Sequence, residues 1–376
     1  MAGIYLHIPY CKKICPYCDF YKSAYLGNKD VLIRNMLKEI NLQKGFLHDE
    51  KVESIYFGGG TPSLVDPIII GEFIEQIYSN FSIKPSPEIT IEGNPEDLSA
   101  PYLKSLKNTG VNRLSIGCQS FNDKILKFLG RRHNARQSYE AVLLARENGF
   151  ENVNLDLIYG IPGQKLKEWI EDLEKAFQLE TFHLSAYHLT FEEKTIFYKK
   201  LKSGEIKEVK ENLSNDLFQV LVKHAEQKGF IHYEISNFAK PGHLSLHNTN
   251  YWKQKIYLGI GPSAHSYNGD MRQWNVSNNK KYNESLEINK IPYKREFLNK
   301  RQKYNEYIMT SLRTIWGIDI EYLENQYSKE IKDYCLNIAK KFLQYGLIKE
   351  EQKKLILTEP GKFISDNIIS EMMMVD

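Results

Sequence analysis

The chain has 376 residues, 42% hydrophobic and 26% charged, which is enough for one large domain and a smaller one and too apolar for global disorder. Its 50 basic and 47 acidic residues leave a net charge of +3, so a nucleic-acid partner is not expected. No apolar stretch approaches the roughly 18 residues of a membrane span, and the N-terminus Met-Ala-Gly-Ile-Tyr-Leu carries no basic leader pattern.

Ile4 to Ile8 reads as a first strand and leads into Cys11-Lys-Lys-Ile-Cys15-Pro-Tyr-Cys18-Asp-Phe20. Three of the five cysteines fall in this loop, close enough to face one centre. Clustered thiols without an export signal point to the reducing cytoplasm. A structural zinc would need a fourth Cys or His, and His7 lies inside the strand pattern. Three sulfur ligands alone favour an iron–sulfur cluster with one open iron over zinc, or over three buried packing cysteines.

Short β-rich runs and amphipathic stretches then alternate over residues 1–240. Helical spacing covers Asp30 to Lys44, Ile68 to Tyr78, Leu98 to Asn108, Ala135 to Asn148 and Leu166 to Leu179. Strands are expected at Ser54 to Phe57, Glu88 to Glu92, Arg113 to Gly117, Val153 to Tyr159 and Phe182 to Leu189. Six such units predict an α/β fold, an incomplete (β/α)6 barrel, with an open doubly wound sheet as the alternative. Ligand-type residues gather at the strand ends in either case: the cysteine loop, Gly58 to Pro62, Glu92, Gln119 and Asp156.

Beyond residue 240 the pattern changes. Residues 241–298 read as a connecting segment containing His247-Asn-Thr-Asn-Tyr251-Trp252, with Asn268 to Tyr293 as an extended surface stretch. Residues 299–376 read as a smaller C-terminal α+β module: helices at Asn299 to Arg313, Glu321 to Tyr327 and Lys329 to Tyr345, then two short strands, a winged-helix-like arrangement.

Each candidate has a plain structural reading beside a functional one. Gly58-Gly59-Gly60-Thr61-Pro62 is a tight turn or a close backbone approach to a ligand. Glu92 and Asp156 cap turns, pair with lysines or hold ribose hydroxyls; Gln119 caps a helix or orients a ligand. Arg131 and Arg132 are surface charge, or one of them clamps a carboxylate. Cys118 and Cys335 fit packing roles, and His183 and His188 fit satisfied structural histidines. The His247 to Trp252 stretch is an aromatic lid, or a flat-ligand site in which His243, His247 or His265 ligates iron.

Cys11-x3-Cys15-x2-Cys18, with Tyr17 before the third cysteine, resembles the signature of radical S-adenosylmethionine proteins. Gly58 to Pro62 resembles that family's stretch at the methionine amino group. Tyr5-Leu-His-Ile-Pro9, Gly117-Cys-Gln-Ser-Phe121 and Asn154 to Pro162 resemble the branch that holds oxygen-independent coproporphyrinogen dehydrogenase (HemN) and the haem chaperones of the HemW type. The resemblance implies a [4Fe-4S] cluster on Cys11, Cys15 and Cys18, with S-adenosylmethionine on its fourth iron. It implies cofactor contacts from Tyr5, Tyr17, Gly59, Gly60, Thr61, Glu92, Gln119, Arg131 and Asp156. The dehydrogenase pattern continues Cys-x-Cys after the third ligand, and here that position is Phe20. The His247-Asn-x-x-Tyr-Trp252 motif resembles the chaperone type. Both features imply haem binding, with His247 as ligand, and delivery to clients such as respiratory enzymes rather than coproporphyrinogen decarboxylation. No residue is assigned a catalytic role; a homodimer and peripheral contact with membrane-bound clients are compatible with this reading.

Overall fold

The computed structural model describes residues 1–375. Six parallel strands form its frame: β1 (Ala2–Ile8), β2 (Val52–Gly59), β3 (Ile83–Gly93), β4 (Arg113–Gln119), β5 (Asn152–Tyr159) and β6 (His183–His188). They neighbour one another in chain order, without the reversal that a doubly wound sheet requires. The sheet does not close, so the incomplete barrel is the architecture found.

The crossover helices form for local reasons. Asp66 caps Ile68 N ahead of Pro67, and Asn134 and Gln137 make a reciprocal capping box. The helix Leu166–Gln178 buries Trp169, Leu173 and Ala176, and the Trp169 indole N–H donates to Leu217 O at 3.0 Å. Their inner faces and the strands share one continuous core.

The sheet extends on both flanks beyond the six expected units. β7 (Ile231–Glu234) and β8 (Asn237–Ala239) add antiparallel to β6. On the other side β9 (Ile256–Ile260) pairs parallel with β1, followed by β10 (His265–Tyr267), β11 (Met271–Asn275) and β12 (Tyr293–Phe297). The stretch expected as an extended surface connection, 268–293, therefore holds a strand and the helix Asn279–Glu287. Its core-facing positions include polar ones, which hid it from hydrophobic periodicity: Gln273 and Asn275 are buried and bond Gln43, just past the helix Lys29–Leu42, and Glu39 within it. Residues 246–252, expected within the connecting segment, form one helix whose first N–H groups are taken by Glu88.

The C-terminal residues have a core of their own around Tyr304, Ile308, Phe342 and Leu355. It joins the helices Lys300–Leu312, Ile320–Gln326 and Lys329–Gln344 to a small sheet of β13 (Ile318–Asp319), β14 (Ile348–Glu351) and β15 (Lys354–Leu357). The expected helix-and-wing pattern is present, with two further helices at Glu359–Phe363 and Ser365–Met372.

Candidate functional site

The cysteine loop hangs from the C-terminal end of β1 and is pinned by Cys11 N to Ser23 O at 3.0 Å and Ser23 N to Pro9 O at 2.6 Å. Cys11, Cys15 and Cys18 are half-buried free thiols, whereas Cys118 and Cys335 are fully buried, as packing residues should be. Burial pushes the Cys11 and Cys18 thiols up, and for Cys18 the Lys22 ammonium pulls back. The Thr61 hydroxyl lies 3.4 Å from Cys11 Sγ and an Arg131 N–H lies 3.8 Å from Cys15 Sγ. Donors aimed at sulfur are what thiolates holding a cluster ask for. Among the described residues no three His, Cys, Asp or Glu side chains are gathered tightly enough for a single ion.

The glycine turn follows β2 and passes directly under this loop. Gly59 has φ +109°, and a Cβ there would sit 2.7 Å from the His7 ring. At Gly60 a Cβ would meet Tyr10 O at 2.7 Å. Only glycines let the turn lie this close to the loop.

Arg131 crosses from beyond β4 to join the loop. Its guanidinium donates to Gly117 O at 2.9 Å and to Asn94, while its Nε is buried without a partner. An unsatisfied guanidinium N–H beside the cysteine loop fits the carboxylate of an amino-acid cofactor. Tyr17 is enclosed in the same corner, its ring 6.4 Å from that of Phe197. Gln119 ends β4 in the left-handed region, φ +67°, and pairs with Leu157 of β5 beyond a register shift after Ile116. Arg132 pairs with Glu96 at 3.6 Å, and His133 is held by Glu96 and Cys118 O, so these two serve the structure.

Glu92 and Asp156 face one another's field within the barrel. Glu92 accepts from Tyr56 Oη at 2.8 Å and Gly59 N at 3.2 Å. Burial raises it to about 7, helped by the Asp156 charge. Asp156 accepts from Ser115 Oγ at 3.0 Å and Asn154 Nδ2 at 2.8 Å, and burial raises it to about 6. The network behind it, Ser115, Asn154, Ser185 and Asn237, was not visible in the sequence, because single polar residues inside strands carry no signature.

His247 is placed differently from expectation. It is buried, its Nδ1 is 2.9 Å from Ser54 Oγ, its Nε2 is 3.0 Å from Tyr251 Oη, and its ring stacks on Tyr56. Both nitrogens are engaged, so in this structure neither is free to ligate iron. Tyr5 stacks in the same group and bonds His7 Nδ1 at 3.1 Å. His183 and His188 are satisfied structural histidines, bonded to Asn154 and Tyr233 and to Leu189 O and Ser214. His243 stacks on Phe182.

Next to the cysteine loop the β9–β11 flank and the helix Lys300–Leu312 enclose a cleft of about 620 Å³. Phe20 lines it, along with Tyr251, Tyr257, His265, Tyr267 and Arg272. His265 is one of three candidate histidines; the aromatic wall around it is assembled only by the fold.

Comparison with known proteins sets these features in a family. A model of the radical SAM superfamily matches residues 5–176, and one of the HemN C-terminal domain matches residues 298–364. The chain is 32% identical to the heme chaperone HemW of Bacillus subtilis, covering 99% of both chains. It is 31% identical to that of Lactococcus lactis, covering 99% of this chain and 97% of the other. The chain belongs to the HemW family. Among solved structures, coproporphyrinogen III oxidase (HemN) from Escherichia coli superposes with a TM-score of 0.85 at 23% identity, over 99% of this chain and 90% of that one, and shows the common fold. Membership of the radical SAM superfamily implies a [4Fe-4S] cluster and S-adenosylmethionine. The three thiols with their sulfur-directed donors, and the unpartnered Arg131 Nε, fit both groups. The His247 to Trp252 motif is a partly buried helix whose Asn248, Tyr251 and Trp252 line the cleft while His247 is turned into the protein.

Proposed function

We propose that this protein takes up haem and hands it to haem-requiring clients such as respiratory enzymes, working in a reducing cytoplasm. One observation carries the choice: Phe20 stands where the dehydrogenase pattern has a further cysteine, in a chain that matches HemW chaperones from end to end. Five free cysteines suit the compartment. No helix among the described residues is long and apolar enough to cross a membrane, so membrane-bound clients would be met from outside the bilayer.

In this reading Cys11, Cys15 and Cys18 hold the cluster, and a bound cluster supplies one-electron chemistry with one iron left for S-adenosylmethionine. Thr61 and Arg131 stabilise the thiolates by donating to them. Arg131 Nε takes the cofactor's carboxylate. Gly59 and Gly60 keep the turn low enough for the methionyl end, and Tyr17, Gln119 and Tyr5 border the remainder. Glu92 and Asp156 are the acceptors for ribose hydroxyls, a role their burial suits whether or not they are ionised.

Transfer tests the reading. Anaerobically reconstituted protein, loaded with haem and mixed with an apo haem protein, should lose its Soret band as the acceptor gains its own. Haem retained by the protein, or released only to buffer, would count against delivery.

A further inference from the structure

We infer that haem seats in the cleft beside Phe20 with His265, not His247, as the protein's ligand to iron. This deepens the haem-binding reading and rests on it. His265 begins β10 and is exposed to the cleft, and its ring makes no hydrogen bond to any described residue; its one ring contact is a stack on Trp274 at 6.1 Å. Its nitrogens are free to coordinate. His247 offers the contrast, since ligation by it would break the bonds to Ser54 and Tyr251 and pull the ring from its stack on Tyr56.

The rest of the cleft matches a flat, apolar ring with carboxylates on one edge. Its volume of about 620 Å³ lies inside the range of sites that bury most of a small ligand. Phe20, 67% exposed, lines one side of it, and Tyr251, Tyr257 and Tyr267 extend the aromatic wall. Arg272 spends one N–H on Glu306 at 2.9 Å and keeps 41% of its side chain exposed. Its remaining donors suit a propionate. The same wall holds the Trp252 indole N–H, buried with no acceptor, a second donor lacking a partner.

The test titrates ferric haem into the full-length, cluster-reconstituted protein and its variants under anaerobic conditions, reading affinity from the Soret band and the iron ligand from electron paramagnetic resonance. His265→Ala should lose the imidazole-ligated signal and bind at least tenfold more weakly, and added free imidazole should restore the signal. Arg272→Gln should weaken binding severalfold with the ligand signal intact. Cluster content should match wild type in both, and the melting temperature should match in His265→Ala, since His265 has no hydrogen-bonded partner to lose, whereas Arg272→Gln also gives up the ion pair to Glu306. An unchanged signal and affinity in His265→Ala would overturn the assignment, as would loss of the signal in His247→Ala alone. Wild-type protein that takes up no haem would instead sink the haem-binding reading, and this inference with it.

Discussion

Cys15→Ser leaves the protein colourless after anaerobic reconstitution, with iron falling from about four atoms per chain to near none. The expectation follows from ligand count. With three thiolates and no fourth protein ligand, losing one leaves two sulfurs, too few to retain a cubane against chelation. Cys15 is the sharpest of the three to test because the Arg131 guanidinium lies against its sulfur. Without the cluster there is no open iron for S-adenosylmethionine, so its binding should fall at least tenfold, a loss of about 1.4 kcal/mol or more. Cys118→Ser is the control: it alters a buried packing position on β4 and should keep the iron. Iron analysis and equilibrium dialysis check both arms. Equal iron in Cys15→Ser and wild type would remove the loop from the cluster.

The second large effect is on stability. Glu39, on the helix Lys29–Leu42, is fully buried and accepts from Tyr282 Oη, Gly261 N at 2.8 Å, Asn275 Nδ2 at 2.7 Å and Gln43 Nε2 at 3.2 Å. One carboxylate thus ties the first crossover helix to the flank that carries β9 to β11. Glu39→Ala strands these donors in a site that excludes water, and should cost about 3–5 kcal/mol. The measurement is the denaturation midpoint at unchanged slope, and a loss below about 1 kcal/mol would show that the flank is held by other means. Because β10 and β11 carry His265 and Arg272, the same variant should loosen the cleft and weaken haem binding even where the fold survives.

How much of this the sequence made readable depended on which physical signal each part leaves. Strands buried on both faces, such as Ile4 to Ile8, appear as apolar runs, and crossover helices show the 3.6-residue period, so the six-unit barrel was readable in order. The cysteine spacing and the glycine turn were readable because their chemistry is local in the chain. The β9–β12 flank was not, because it is fastened by polar pairs such as Asn275 with Glu39, and a buried amide looks like a surface one until its partner is known. The His247 motif shows the opposite failure. Its residue types suggested a ligand, yet the partners that occupy its ring, Ser54 and Tyr251, include one that comes from 193 positions away. Likewise the cleft is assembled from the loop at Phe20, the β10–β11 hairpin and the helix at Glu306, three segments that no motif joins.

The account stands or falls on whether the molecule treats a porphyrin as cargo or as substrate. The most direct measurement gives one reconstituted, reduced sample both ligands in parallel, with haem uptake followed by absorbance and coproporphyrinogen III followed by mass spectrometry. Saturable haem binding near one per chain is expected, with coproporphyrinogen recovered unchanged. Loss of carbon dioxide from coproporphyrinogen, with no saturable haem binding, would contradict it.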